Sequence, residues 1–351
     1  MSQVSREITE SLLLWFKKNS REMPWRGETD PYKIWISEVM LQQTQVTTVI
    51  PYYYRWITLY PTVFDLASAS LQDVLKIWEG LGYYSRARNL HQGAKYIVDK
   101  LNGVFPDNRD KLLKIPGTGD YTSAAIASIA YNHPHSVLDG NTKRVMARLF
   151  FIKDIMTSSR FKTNVREHLD SSLKWGEPRW VNQAWMELGA LICTPKPACS
   201  LCPLQGFCQA RQYNRMMEFP LKPDKKKIQL RNGAIFFIRN NKKHILMVKR
   251  RDKGLLPGLW ELPNTLYDEQ PLSDFIMAND IMINRSYIKK AEHAYSHFKV
   301  CFELYDAYLN SSWKNDYWVD FDWISEEKLN SLPRPRVHIK ALKIAGLLQV
   351  I

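Results

Sequence analysis

Apolar residues recur with a helical period through the first two thirds of the chain and with a strand period through the last third. Leu12, Leu13, Trp15 and Phe16 fall on one side of a helix predicted over 8–18. Pro24-Trp25-Arg26-Gly27 breaks that pattern, and Asp30-Pro31 supplies an N-cap and a first-turn proline for a helix carrying residues 34–44. On that helix Glu38 stands three residues from both Trp35 and Leu41. A carboxyl group among such neighbours should titrate high, which suits a general acid; a Glu at the rim of an apolar stripe can equally reach water. Further helices are expected over 52–60, 71–79, 85–101, 108–114, 121–131 (capped by Asp120), 139–150, 161–174 and 180–191. From residue 233 the period shortens. Segments 233–239 and 244–249 read as a hairpin about Asn240-Asn241-Lys242-Lys243, 300–309 and 317–323 as strands, and 325–332 and 339–348 as helices. Cys301 alternates with apolar neighbours and is expected in the core.

Turn residues change this picture at three places. In Ile115-Pro116-Gly117-Thr118-Gly119-Asp120-Tyr121-Thr122 two glycines sit two apart after a proline, which suits a sharp turn between helices. Backbone N–H groups at such a turn can hold a phosphate. Asp139-Gly140-Asn141 begins twenty residues after Gly119; Asp139 can cap its helix or face the same cleft as the turn. Gly80-Leu81-Gly82-Tyr83-Tyr84, followed by Arg86 and Arg88, suits either a loop pressed into DNA or a turn whose tyrosines cover the core.

Composition narrows the class. A chain of 351 residues has room for two domains, 45 % apolar residues suffice for packed interiors, and a net charge of +14 favours a polyanionic partner, nucleic acid before membrane. The first ten residues show no apolar signal region and no apolar run reaches membrane-spanning length, so a cytoplasmic protein is expected. Four of the five cysteines lie at Cys193, Cys199, Cys202 and Cys208, with gaps of five, two and five residues. That clustering argues for a metal centre, and zinc and a [4Fe-4S] cluster both accept four cysteines. Pro- and Lys-rich 209–230 reads as a basic linker between a helical region over 1–208 and an α+β domain over 231–351.

Taken together, Trp35 to Val46 (Trp-Ile-Ser-Glu-Val-Met-Leu-Gln-Gln-Thr-Gln-Val), Gly80 to Arg88, the glycine turn, Leu138-Asp139-Gly140-Asn141 and the four-cysteine loop resemble, over nearly the whole chain, the MutY-type adenine DNA glycosylases of the helix-hairpin-helix-Gly-Pro-Asp superfamily. The resemblance implies a mainly α glycosylase domain with a [4Fe-4S] loop and a Nudix-like α+β domain, and Leu256-Pro257-Gly258-Leu259-Trp260-Glu261-Leu262-Pro263 is similar to the loop of the latter. The acidic metal-binding helix of Nudix hydrolases is absent, so pyrophosphate hydrolysis is not expected. The first cysteine gap is one residue shorter than is usual in the family, and Thr118 and Ser123 replace small apolar residues of the hairpin. By resemblance, Glu38 is the general acid, Asp139 stabilises the sugar cation, and Tyr121 and Asn141 support them. Gln43 and Tyr83 wedge the duplex; Arg86, Arg88, Gly117, Gly119 and Lys143 contact DNA; and Tyr295-Ser296-His297 senses 8-oxoguanine. The implied substrate is duplex DNA with adenine opposite 8-oxoguanine or guanine, handled by a monomer. Tyr121 stands where related endonuclease III-type lyases carry a lysine, so base removal without strand cleavage is expected. A lyase, a non-catalytic DNA-binding module and a nucleotide pyrophosphatase are the competing readings.

Overall fold

The computed structural model describes residues 4–223, 228–251, 254, 256–295, 297–311, 313 and 318–348. The chain divides into two compact units, Met1–Ser68 with Asn89–Lys225, and Ala69–Arg88 with Lys226–Ile351. No helix of the described residues is long and apolar enough to cross a membrane.

The first unit is helical. Its elements are α1 (Arg6–Asn19), α2 (Pro31–Leu41), α3 (Val46–Leu59), α4 (Val63–Ser68), the larger part of α6 (Ser85–Leu101), α7 (Arg109–Leu112), α8 (Asp120–Ile129), α9 (Gly140–Leu149), α10 (Ser159–Ser172), α11 (Pro178–Leu191) and α12 (Gln209–Gln212). α2 begins as its sequence demands: the Asp30 side chain accepts from Tyr32 N–H and Pro31 opens the first turn. Tyr32, Ile34 to Met40 and with them Glu38 are buried, so α2 is wrapped on nearly all sides. It stops at Leu41 rather than running through Thr44: Gln42 leaves the helical region at ψ 110°, and Gln43 follows at φ +58°. α9 and α11 pack on α1 and α10 about Leu12, Phe16, Met146, Phe161 and Trp185. The stretch that reads as linker is built into this core at its start: α12 follows Cys208 directly, and Phe219 is buried against the same cluster. Asp224 to Lys227 lie outside the described residues.

The second unit holds α5 (Leu71–Ile77) and an α+β arrangement of β1 (Gln229–Ile238), β2 (Ile245–Lys249), β3 (Trp260–Glu261), β4 (Asn264–Leu266), α13 (Leu272–Ala278), β5 (Ile281–Ala294), β6 (Phe298–Leu309), β7 (Asp320–Ile324), α14 (Glu326–Leu329) and α15 (Arg336–Ile344). A four-stranded sheet runs β4-β1-β6-β5 and a three-stranded one β3-β2-β7. β1 and β2 do not form the expected hairpin. They share one bridge, Arg239 with Ile245, then enter different sheets, β1 pairing in parallel with β6. Both are buried on both faces: Ile235, Phe237, Ile245 and Met247 enter one core, Phe236, Ile238, Leu246 and Val248 another. Cys301 is not in the core; it sits half-exposed on β6, its thiol 3.6 Å from Glu292 Oε1.

Candidate active site

The loop before α2, α2 with the turn after it, the N-termini of α3, α8 and α9, and the face of α11 line a cavity of about 410 Å³ in the helical unit. Glu38, Tyr121, Asp139 and Asn141, each singled out by the sequence, all face this cavity. Glu38 is only 5 % exposed. Burial pushes its carboxyl up to about 7; the Tyr121 hydroxyl, which donates to Oε2, and Arg26 oppose the rise, and the Asp139 charge adds to it. The Tyr121 hydroxyl is pushed well above its ordinary range, chiefly by burial, and so remains a donor.

Asp139 caps α9 and also lines the cavity. Its Oδ1 accepts from Thr142 N–H at 2.6 Å and the Thr142 hydroxyl accepts from Asp139 N–H at 2.9 Å, a capping box for α9. Its Oδ2 meanwhile accepts from Asn141 Nδ2 at 2.9 Å and faces the cavity. Burial raises the Asp139 carboxyl as well, but the bonds from Thr142 and Asn141 work against it. Of the two acids, Asp139 is held by several donors and Glu38 by one, so Asp139 is the first to ionise. Burial pulls Lys143 down, reinforced by Lys162.

Sequence reasoning missed the opposite wall. Glu187 on α11 is buried and accepts from Arg21 Nε at 2.8 Å and from Arg26 Nη2 at 3.1 Å, while Arg26 also donates to Gln183. Burial alone would raise the Glu187 carboxyl; the two arginines bring it below its ordinary value. Trp25 and Met186 complete that side. The signal lay in Pro24-Trp25-Arg26-Gly27, which reads only as a helix break, and in a lone acid beside Trp185, Met186 and Leu188.

Of the two glycines of the turn, one takes a positive φ. Gly117 has φ +78°, and a Cβ there would lie 2.3 Å from Asn89 Cβ. Gly119 is extended (φ −89°), and it rather than Asp120 occupies the N-cap of α8. Asp120 instead pairs with Arg109 and Arg166. Gly117→Ala should therefore destabilise the fold by roughly 2 kcal/mol or more. Gly119→Ala, at an extended φ with nothing within 4 Å of its Cβ position and no side-chain cap bond to lose, should change stability by less than about 1 kcal/mol. Urea unfolding curves of the two variants give the order; the reverse order would contradict this account of the turn.

In Gly80 to Tyr84 the aromatics divide. Tyr83 is 43 % exposed at φ +48°, whereas Tyr84 is buried. Arg86 and Arg88 are not arranged for phosphate. Arg86 is buried, donates at 3.2 Å to the carbonyls of Leu81 and Gly82, lies over the Trp78 ring, and is pulled down to about 10 by burial. Arg88 donates to the Pro257 carbonyl. Both act as struts. Gln43, exposed at φ +58°, follows α2.

The Tyr295-Ser296-His297 stretch joins β5 to β6. Tyr295 N–H donates to Phe298 O at 2.8 Å and its ring packs on His293 and Phe298; His297 is exposed, and Ser296 lies outside the described residues. Glu261 in the Nudix-like loop would be raised by its burial, yet Arg250, His338 and Trp318 Nε1 hold it down to about 2. An acid so fully committed is structural. The four loop cysteines, all free of disulfides, face one cavity of about 30 Å³ together with Arg148. The loop is not wholly irregular: Cys199–Leu201 form one 3-10 turn.

Comparison with known proteins defines the class. Residues 36–170 match the HhH-GPD superfamily of base excision DNA repair proteins and residues 234–343 match the NUDIX domain. The helical unit shares its fold with a thermostable thymine-DNA glycosylase (26 % identity, TM-score 0.54, 59 % of this chain and 97 % of that one). A trapped endonuclease III–DNA covalent intermediate has the same fold (24 %, TM-score 0.50, 60 % and 99 %). The particular family follows from two relatives named adenine DNA glycosylase. That of Mus musculus is 34 % identical over 86 % of this chain and 70 % of its own; that of Buchnera aphidicola subsp. Baizongia pistaciae is 34 % identical over 87 % and 85 %. The chain belongs to the adenine DNA glycosylase family, enzymes of base excision repair that hydrolyse N-glycosyl bonds.

Proposed function

We propose that this chain removes adenine opposite 8-oxoguanine or guanine from duplex DNA, as a monomer and without cutting the strand. The observation that carries the reading is one cavity in which a buried, high-titrating Glu38 faces a hydrogen-bonded Asp139. Adenine leaves poorly as an anion, and protonation of a ring nitrogen makes it a neutral leaving group. Glu38 supplies that proton, its other oxygen being occupied by the Tyr121 hydroxyl. As the bond breaks the sugar gains oxocarbenium character, and ionised Asp139, oriented by Asn141 and Thr142, stabilises it. Adenine must leave the stack to enter the cavity; exposed Gln43 and Tyr83 are the wedging groups, and the hairpin tip with His297 reads the opposite base. The N–H groups about Gly117 and Gly119, with Lys143, take backbone phosphates. Tyr121 cannot form a Schiff base, which favours a monofunctional glycosylase over a lyase.

Cys193, Cys199, Cys202 and Cys208 would hold a [4Fe-4S] cluster. Their convergence on one cavity supports this. Arg148 Nη1 lies 3.4 Å from Cys193 Sγ and also donates to Thr194 O at 2.6 Å, bracing the loop. Among the described residues no three His, Cys, Asp or Glu side chains form a group able to hold one metal ion. The cluster would supply a rigid scaffold, since base hydrolysis transfers no electron.

Single-turnover release of free adenine from a duplex with adenine opposite 8-oxoguanine tests the reading. The expected result is release with strand breaks only after alkali. A duplex that stays bound without release would overturn the enzymatic reading for this substrate, and breaks before alkali would overturn the monofunctional one.

A further inference from the structure

Ala69–Arg88 pack with the second unit although the sequence places them inside the helical region. The attachments centre on Arg334, which is 2 % exposed. Its backbone N–H donates to Glu79 Oε1 at 3.0 Å, and its carbonyl accepts from the Tyr84 hydroxyl at 3.0 Å. Its guanidinium Nε stands 3.7 Å from the same Glu79 oxygen, and Nη2 donates to Asn330 Oδ1 at 3.4 Å. Lys76 bridges Glu79 Oε2 and the carbonyl of Leu332. One residue of the second unit thus grips Glu79 and Tyr84, the two residues that bracket Gly80 to Tyr83.

The gripped segment is strained. Gly80, Gly82 and Tyr83 have φ of +103°, +72° and +48°, and a left-handed tyrosine persists only where its surroundings over-determine it. Inside the loop Trp78 Nε1 donates to Gly82 O at 2.9 Å and Arg86 holds the carbonyls of Leu81 and Gly82. Those bonds shape the interior, while the ends are fixed through Arg334. A buried guanidinium is costly to keep, and truncating one partner of a buried pair is damaging. Nothing in the excision chemistry uses Arg334, which lies outside the cavity of Glu38 and Asp139.

We propose that Arg334 is a positioning residue for Tyr83: by clamping Glu79 and Tyr84 it holds the loop in the conformation that inserts the Tyr83 ring into the duplex. The second unit then contributes to base extrusion as well as to reading the opposite base. The proposal rests on the reading of Tyr83 as a wedge.

The test is a double-mutant cycle in the full chain, read by single-turnover adenine release from the duplex with adenine opposite 8-oxoguanine. Arg334→Met keeps the two backbone bonds to Glu79 and Tyr84 and removes only the guanidinium beside Glu79, so it should slow release by roughly twofold to threefold. Tyr84→Phe, which removes one hydroxyl and leaves the ring packed, should slow it by roughly threefold to fivefold, the scale of one hydrogen bond. In a Tyr83→Ala background neither should slow it further. If Arg334→Met does not fold, Tyr84→Phe carries the cycle alone. Equal slowing in both backgrounds, with Tyr83→Ala itself slow, would leave the wedge standing and overturn the clamp. Tyr83→Ala as fast as the unaltered chain would overturn the wedge and the clamp together.

Discussion

Glu38→Gln is expected to slow single-turnover adenine release by roughly a thousandfold, within the range that a positioned general acid contributes. The substitution is nearly isosteric, and Gln can still accept from the Tyr121 hydroxyl, so the cavity should keep its shape. What it cannot do is give a proton to the departing base. Stability separates this from a packing defect, through its pH dependence. Because burial raises the folded-state titration of Glu38 to about 7, the folded chain holds a proton that the unfolded chain loses at lower pH. Stability from this group is fully present below the ordinary carboxylate range and falls as pH rises through about 7. Glu38→Gln should therefore be more stable than the unaltered chain at pH ~8, where it is least active, and lose that advantage near pH ~4. Thermal melts at the two pH values check it; a variant less stable at both would point to damaged packing.

The second large effect is at Asp139. Asn is as good an N-cap as Asp, so Asp139→Asn should leave α9 within roughly 0.5 kcal/mol of its stability. It removes the negative charge, and adenine release should fall by about a hundredfold to a thousandfold, the scale of losing one preorganised electrostatic group. Asp139→Ala adds a lost cap of about 1 kcal/mol. Asp139 held only as a cap would give the opposite pattern: Asn active, Ala unstable, and activity tracking melting temperature.

These two residues show how much of the site was legible. Glu38 could be placed because Asp30-Pro31 fixes the start of α2 and so which positions share a face. Whether the carboxyl reached water depended on α3 and α8 packing around it, and a single helix carries no trace of that. Asp139 could be placed beside the glycine turn from chain order, while its donors came from its own first turn. The Glu187–Arg21–Arg26 wall joins residues some 160 positions apart, which no local period reports. Arg86 and Arg88 follow an exposed-looking loop, yet loop carbonyls capture both guanidinium groups. The helices of the first unit were readable because their contacts repeat every three or four residues. In the second unit the Asn240–Lys243 turn looked like a hairpin, but β1 finds its parallel partner β6 about seventy residues on. β5, exposed along much of its length and mixed in composition, left no alternation to read.

The pH dependence of single-turnover adenine release, measured for the unaltered chain beside Glu38→Gln, tests the division of labour between the two acids most directly. The account predicts a rate that falls as pH rises through about 7 in the unaltered chain, and a low rate without that fall in the variant. A Glu38→Gln enzyme that keeps the rate and the pH profile of the unaltered chain would contradict it.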